Sequence, residues 1–338
     1  MKSKITTWLI ALALSVNVAA IELAEDHPET YTVVRGDTLW DIAGMFLERP
    51  WQWPEIWVVN DAIENPHLIY PGDVLRLVYR DGKPVIELQR TVKLSPHVRV
   101  EANNPITVVA LERIEPFLNR ARIFSSQEEF DATPYVVQGA RENLIVGELQ
   151  ELFARGESGW ADRRVDYGIY RGGETWVDPL TDEILGFEAI EIGAADVQDE
   201  GDDIARLEVT RSRQEVRPAD HIIEIIPSAF DSVYYPSAPQ ADIDGFILDV
   251  DGGVSQVGAM SVVMINKGER EGIEAGHVLS IWKRGEQVRD PVTRETIEMP
   301  AQQAGVLMIF QTYEKMSYAL VLEADRPLKV GDIVRTPQ

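Results

Sequence analysis

The chain has 338 residues, no cysteine and a formal net charge of −24 at pH 7. The lack of cysteine excludes disulfides, thiolate metal sites and cysteine nucleophiles. The excess of carboxylates argues against nucleic acid, whose phosphates need a basic surface, and against electrostatic binding to anionic lipid. The length indicates two or three domains.

Residues 1–20 have the features of a signal peptide. Lys2 and Lys4 give a positive start, residues 8–14 are apolar, and Val18-Ala19-Ala20 fits a small-residue cleavage site. A membrane anchor is the alternative, but the apolar run is too short to span a bilayer comfortably. We therefore expect an exported protein with no direct membrane insertion after cleavage.

The stretch 31–77 predicts a strand, two helices and a second strand. Residues 31–34 are a short β-branched run, followed by a turn at Gly36, since glycine tolerates positive φ. Thr38 stands three residues before Asp41, which is the capping-box spacing that opens a helix.

The second half of the stretch predicts a helix followed by a strand. Pro54 suits the first turn of a second helix, and Pro71-Gly72-Asp73 predicts a turn into a strand over residues 74–78. An aromatic insert, residues 48–53, separates the helices. We expect Trp57 to lie in the core, while Trp51 and Trp53 suit either the core or stacking on a sugar.

This pattern resembles a LysM domain over residues 29–80. The resemblance is carried by Tyr31, Val33, Gly36-Asp37-Thr38-Leu39, Ile42-Ala43, Asn60, Asn65-Pro66, Ile69, Pro71-Gly72-Asp73 and Leu75. The family binds the N-acetylglucosamine-containing glycans of peptidoglycan or chitin between the loop after strand one and the loop before strand two. The resemblance implies a glycan site formed by Gly36, Asp37, Thr38, Leu39, Asn65, Pro66, Ile69, Tyr70, Pro71 and Gly72.

Two such loops suit the chemistry of an N-acetyl sugar. Their backbone N–H and C=O groups can pair with the sugar amide, while Leu39, Ile69 and Tyr70 flank its methyl group. A few fixed polar groups over an apolar floor is the usual arrangement of a small-ligand site.

After this stretch the sequence predicts a connector and an internal repeat. In the connector, residues 81–138, we expect a helix over residues 114–124 and short strands at 85–88, 91–94, 98–100 and 107–111. Farther on, residues 112 positions apart match: Ile169-Tyr170-Arg171 with Ile281-Trp282-Lys283, Asp178-Pro179 with Asp290-Pro291, Asp220 with Asp332, and Leu152-Phe153 with Met264-Ile265.

One register held over such a length predicts two copies of one module, 141–226 and 253–338, joined by a linker, 227–252. Short strands with glycine punctuation indicate a small barrel or sandwich. The acidic stretch 194–203 is interpreted as a modified, exposed strand or loop of the first copy. The predicted fold class is multidomain and mainly β, with a LysM βααβ module, a β-rich connector and two duplicated small β-barrel or sandwich modules.

No pattern indicates a catalytic residue, a metal or a cofactor. The histidines lack HxH, HxxxH and HExxH spacing and are interpreted as surface or turn residues; they are His27, His67, His97, His221 and His277. Glu157-Ser158 matches a dipeptide of lytic transglycosylases, but it aligns with a turn of the repeat and lacks their helical surroundings. A peptidoglycan hydrolase with an unrecognised site is the alternative to a binding protein.

Over its full length the chain resembles the secretin-associated proteins of type IV pili. The resemblance is carried by YTVVRGDTLWDIAGMFLERPWQWPEIW, ENPHLIYPGDVL, KLSPHVRV and YRGGETWVDPLTDEILGFEA. In that family the C-terminal region is similar to part of flagellar assembly protein T. The resemblance implies a periplasmic adaptor that binds peptidoglycan glycan strands and the outer-membrane secretin ring of the pilus. The alternative is an adaptor of another envelope machine, such as the flagellar rings.

Overall fold

The computed structural model describes residues 21–57, 69–89, 108–109, 114, 121–141, 143–156, 160, 166–201, 203–225, 234–250, 256–285 and 287–337. They form an N-terminal βααβ unit followed by two barrel-like sheets, so the predicted, mainly β fold class is confirmed. In these ranges no helix is both long and apolar enough to cross a membrane.

The N-terminal unit contains three strands and two helices. They are β1 (Thr30–Thr32), α1 (Leu39–Phe46), a 3-10 turn (Pro50–Gln52), α2 (Trp53–Trp57), β2 (Val74–Arg80) and β3 (Lys83–Gln89). β2 pairs antiparallel with both β1 and β3. The sequence assigned residues 85–88 to the connector, but they complete the sheet of the N-terminal unit. Asp81 and Gly82 both have positive φ, which is the geometry of a tight hairpin turn.

Helix α1 begins as its sequence predicts. The Asp41 N–H donates to Thr38 Oγ1 at 3.1 Å, and the Thr38 N–H donates to the Asp41 carboxylate at 3.1 Å, which together form a capping box. Trp53 and Trp57 are buried behind this helix with their rings edge to face, so the prediction of a core role for Trp57 is confirmed.

Six antiparallel strands close a first barrel. They are β5 (Tyr135–Gly139), β6 (Glu151–Arg155), β7 (Tyr167–Val177), β8 (Ile184–Glu200), β9 (Ile204–Ser212) and β10 (His221–Glu224). Their pairings run β5-β6-β9-β8-β7-β10, and β10 returns to β5. A seventh strand, β4 (Ala121–Phe124), is added along β8. The helix predicted over 114–124 is therefore wrong at its end, because pairing with β8 overrides local helical preference there.

The second barrel repeats this order. Its strands are β11 (Asp244–Val250), β12 (Val262–Ile265), β13 (Val278–Lys283), β16 (Gln302–Thr312), β17 (Ser317–Ala324) and β18 (Ile333–Arg335), with β14 (Gln287–Arg289) and β15 (Thr296–Glu298) in a separate hairpin. The closed order is β11-β12-β17-β16-β13-β18. Each pairing has its counterpart in the first barrel, which is the result expected of a duplicated module.

The strand registers refine the predicted offset. In the first barrel Ile222 pairs with Ile169, and in the second Val334 pairs with Ile281, both shifted by 112. In the first two strands the shift is 111, since Val136↔Ala154 corresponds to Ile247↔Ile265. The single register predicted from the sequence is thus one residue out upstream of β7, because the second copy has one more residue between its second and third strands.

Two predicted boundaries also change. β11 lies inside the predicted linker 227–252, and β5 precedes the predicted start of the first module at 141, so each copy begins one strand earlier. The acidic stretch 194–203 is not a loop through most of its length, because it continues β8 to Glu200 and buries Ala195 and Val197. The predicted strands at 91–94 and 98–100 lie outside the described residues.

The two units at either end of the chain share one core. Inward side chains of the second barrel form its own interior, with Ile247, Leu279 and Leu307 among them. The outward side chains are buried too, including Phe246, Leu248, Val262, Met264, Met308, Phe310, Leu320 and Leu322, and they form one cluster with α1 and α2. Because the outward row of an isolated barrel in water would be solvated, the N-terminal unit is docked on the second barrel.

Candidate functional site

The two loops predicted to hold glycan lie side by side. The Gly72 N–H donates to the Val33 carbonyl at 2.7 Å, and the Val33 N–H donates to the Asp73 carbonyl at 2.8 Å. These two bonds tie the end of β1 to the turn that precedes β2. Gly36 and Gly72, one in each loop, have φ of 101° and 97°, values that glycine adopts at little cost. Of the ten predicted contact residues, Asn65 and Pro66 lie outside the described part of the chain.

The carboxylates of the site brace its loops. Asp37 Oδ2 accepts the Tyr31 hydroxyl and the Val34 N–H, both at 2.9 Å, and so closes the first loop onto β1. Burial and this hydrogen bond raise the pKa of Tyr31, which keeps the hydroxyl a donor at neutral pH. Asp73 Oδ2 accepts the Tyr70 N–H at 3.0 Å and closes the second loop in the same way. Acidic side chains here fix loop shape and leave the backbone to face a ligand.

The side chains of Leu39 and Ile69 point into the core. Both have 0% of their surface exposed and belong to the core beneath the loops. This burial disagrees with the prediction that they flank the methyl group of a bound sugar. Tyr70 and Pro71 are half-buried and Gly36 and Gly72 exposed, so these loop residues offer the accessible surface.

The N-terminal end of α1 is shared with the rest of the chain. The Trp40 N–H donates to the Val108 carbonyl at 3.2 Å, and Trp40 Nε1 donates to Glu323 of the second barrel at 3.2 Å. Nearby, the ring of Trp53 stacks on Tyr235 with centroids 6.2 Å apart. Trp53 is therefore an interface residue at 1% exposure rather than a sugar platform, while Trp51 is only partly buried.

The sequence marked this interface only as an aromatic insert, whose tryptophans suited either core packing or stacking on a sugar. Its signal was the density of tryptophan next to a module too small to bury so many rings alone. Which surface would cover them was not readable, because the partner residues lie far away in the chain, 283 positions for Trp40 and Glu323.

His221 corrects the interpretation of the histidines as surface or turn residues. It is buried in β10, its ring centroid lies 4.1 Å from that of Phe130, and its Nδ1 is 2.8 Å from Thr133 Oγ1. Burial lowers its pKa. His27 and His277 are half-buried, and His67 and His97 are outside the described residues, as is Glu157-Ser158. In the described ranges no group of three or more His, Asp or Glu side chains is placed to hold a metal ion.

Comparison with known proteins identifies the N-terminal unit. The model of the LysM domain family matches residues 31–78. An uncharacterized protein of Bacillus subtilis (strain 168), YqbP, is 43% identical over 64 residues, which are 16% of this chain and 29% of the relative. The chain thus spans under a third of this relative's length. LysM domains bind peptidoglycan and are generally non-catalytic, so the two joined loops are the candidate glycan site.

Proposed function

We propose that this chain is a non-catalytic adaptor of the periplasm, which binds peptidoglycan glycan strands through its LysM unit and holds the outer-membrane secretin ring of a type IV pilus through its barrels. The observation that carries the wall-binding half is the LysM match at residues 31–78 together with the hydrogen-bonded pair of loops. The signal-like segment 1–20 supports export. The secretin half rests on the resemblance of the whole sequence to secretin-associated proteins.

The geometry favours an adaptor over a hydrolase. The barrels are filled by apolar side chains, and buried carboxylates such as Asp220 and Asp332 are paired with Arg171 and Lys283, both at 2.8 Å. These pairs occupy equivalent positions of the two copies, which indicates a structural role. A secretin ring would present many copies of one site, so many weak wall contacts act together through effective concentration.

Co-sedimentation with peptidoglycan tests the wall-binding half. Gly72→Val places a β-branched residue at φ 97° in the second loop, where an added Cβ meets no atom within 4 Å, so its effect is backbone strain. Such strain costs about 1–3 kcal/mol and reshapes the loop. We expect the variant to fold and to lose most of its co-sedimentation.

Gly82→Val is the matched control. Gly82 has φ 79°, and an added Cβ there also meets nothing within 4 Å, but it lies in the β2–β3 turn. It should cost similar stability and leave co-sedimentation unchanged. Equal binding by both variants and the wild type would remove the glycan site from these loops.

Two further measurements separate the alternatives. Soluble muropeptides released by the wild type but not by Glu157→Gln would establish a hydrolase. For the partner, mild extraction of the full chain should co-purify the native secretin. Recovery of another envelope ring in its place would keep the wall-bound adaptor and remove the pilus assignment.

A further inference from the structure

The two barrels use the same hairpin in different ways. We define the first arm as residues 175–187, at the ends of β7 and β8, and the second arm as residues 287–299, which contain β14 and β15. Their turns are built alike: Asp178 Oδ1 accepts the N–H of Leu180, at 2.8 Å, and Asp290 Oδ1 accepts the N–H of Val292, at 2.7 Å. The arms are thus equivalent elements of the repeat.

The first arm docks on the second barrel through a buried polar contact. Asn266 Nδ2 donates to Asp178 Oδ2 at 2.9 Å, while Asn266 Oδ1 accepts the Phe246 N–H at 2.8 Å. Asp178 and Asn266 are both buried. A buried carboxylate and a buried amide that hydrogen-bond to each other across two units indicate a specific interface, because buried polar groups need partners.

Charge reinforces the same docking. The Arg270 guanidinium binds both oxygens of Glu183 at 2.6 and 3.0 Å, and Lys315 Nζ lies 3.0 Å from the same carboxylate. These two cations lower the pKa of Glu183 to about 2. Leu185, two residues after Glu183, is 3% exposed and joins the core shared with the second barrel. The receiving surface therefore combines one amide, two cations and an apolar floor.

The second arm keeps the Asp, Glu and several apolar positions of the docked arm but is exposed, and it carries Arg289 and Arg294 where the first arm has Val177 and Asp182. Its equivalent residues are Asp290 for Asp178, Glu295 for Glu183, Val288 for Trp176 and Ile297 for Leu185. Every described residue from 287 to 300 is exposed except Asp290, which is half-buried. Val292 is 86% exposed and Ile297 42%. A short hairpin that exposes several apolar side chains among charged side chains of both signs matches the exposed patches that mark protein contacts.

We propose that the second arm is a docking element for a partner protein whose β-surface carries an amide side chain and two basic side chains around an apolar floor. The occupant is inferred from the receiving surface that the chain itself builds for the first arm. Asp290 would accept from the amide, Glu295 would bind the two cations, and Ile297 would enter the apolar floor.

A second copy of this chain does not fit that description. The receiving surface of the second barrel is already filled by the first arm. On the first barrel, Arg155 stands where the second has Asn266, and the exposed Asp203 stands where it has Lys315. Asp203 would face Glu295 of an incoming arm, and like charges at an interface disfavour the wrong partner. The arm therefore selects a different protein.

Site-specific photocrosslinking in intact envelopes tests this inference. A benzophenone amino acid at position 292 should crosslink to a partner protein. The crosslinked peptide should come from a β-sheet surface of that partner that carries arginine or lysine. Glu295→Arg should lower the yield about tenfold, and reversing the charge of the crosslinked basic residue in the partner should restore it. Asp242→Arg, the same charge change at an exposed site of this barrel, and a crosslinker at the exposed Val330 are the controls.

The docking role of the second arm rests on the proposed adaptor role and deepens it. The outcomes of this experiment distinguish the two. Three results would refute the docking role of the second arm. They are the absence of a crosslink, a crosslink to a second copy of this chain, and a crosslinking yield that Glu295→Arg leaves unchanged. Secretin that co-purifies with the chain but does not crosslink at position 292 leaves the adaptor standing without the arm. A crosslinked, charge-swapped partner other than a secretin supports the arm and removes the pilus assignment.

Discussion

At the scale of single residues, the two candidate glycan loops are shaped by side chains that lie beneath them or brace them. Leu39 and Ile69 lie fully buried beneath the loops, and Asp37 and Asp73 hold them from the side. A substitution at a buried position therefore reports on folding, whereas one at an exposed loop glycine reports on binding. This distinction decides which variants can test the site.

Ile69→Asp should unfold the LysM unit rather than merely weaken glycan binding. The variant buries an unpaired carboxylate in an apolar core, and single changes of this kind cost about 4 kcal/mol or more. Circular dichroism and hydrogen exchange over α1 should show loss of structure, and Ile69→Val should retain both fold and binding. A folded Ile69→Asp variant with selective loss of binding would instead place this side chain in the groove.

His221 predicts that the first barrel loses stability in mild acid. Its pKa is lowered in the folded state by burial, so the unfolded chain takes up a proton first as pH falls below about 6.5. The contribution is complete above that pH and is lost as pH falls toward the folded pKa. Thermal unfolding at pH 7.5 and 5.5 should show a decrease in Tm that is smaller in His221→Leu, which cannot titrate. Equal decreases in both proteins would contradict this assignment.

At the scale of elements, equivalent turns of the two barrels contribute differently to the free energy of unfolding, because their surroundings differ. Asp178 and Asp290 accept the same turn hydrogen bonds, but only Asp178 also satisfies a buried amide across the barrels. We expect Asp178→Ala to cost about 1–3 kcal/mol, because it leaves the Asn266 amide unpartnered. Asp290→Ala should cost clearly less. Chemical denaturation of both variants measures the difference, and equal losses would show that the turn alone carries the effect.

The elements also show where sequence reasoning succeeds and where it stops. Short-range signals were readable: the capping box at Thr38, the turn glycines and the repeat itself. The Asp81-Gly82 hairpin carried its signal too, since Asp-Gly between two β-rich runs predicts a tight turn. By contrast, β4 forms because β8 offers it an edge, and the one-residue slip of the repeat appears only in strand pairing. Both features depend on strands that are distant in the chain, and a single sequence does not indicate which strands pair.

At the scale of the whole molecule, the LysM unit and the second barrel are one body. Their shared core and the contacts Trp40–Glu323 and Trp53–Tyr235 fix the glycan loops relative to the barrel. If the chain acts as the adaptor proposed above, a force applied to the second barrel would reach the glycan loops through this shared core. It also means that removing residues 29–79 uncovers an apolar barrel face, and such a deletion does not isolate one function.

Trp53→Ala should therefore destabilise the second barrel as well as the LysM unit. Truncating a buried tryptophan costs about 3–5 kcal/mol, and here the cavity lies between the two units. Hydrogen exchange should accelerate at the amides of Ser237 and Val278, which bond Gly276 and Ser237 next to Tyr235, as well as in α2, whereas β9 of the first barrel should keep its protection. Tyr79→Ala, at a position 64% exposed on β2, is the control and should change neither. Faster exchange confined to α1 and α2 would show that the LysM unit is only tethered, and that the barrel face is covered by another part of the chain.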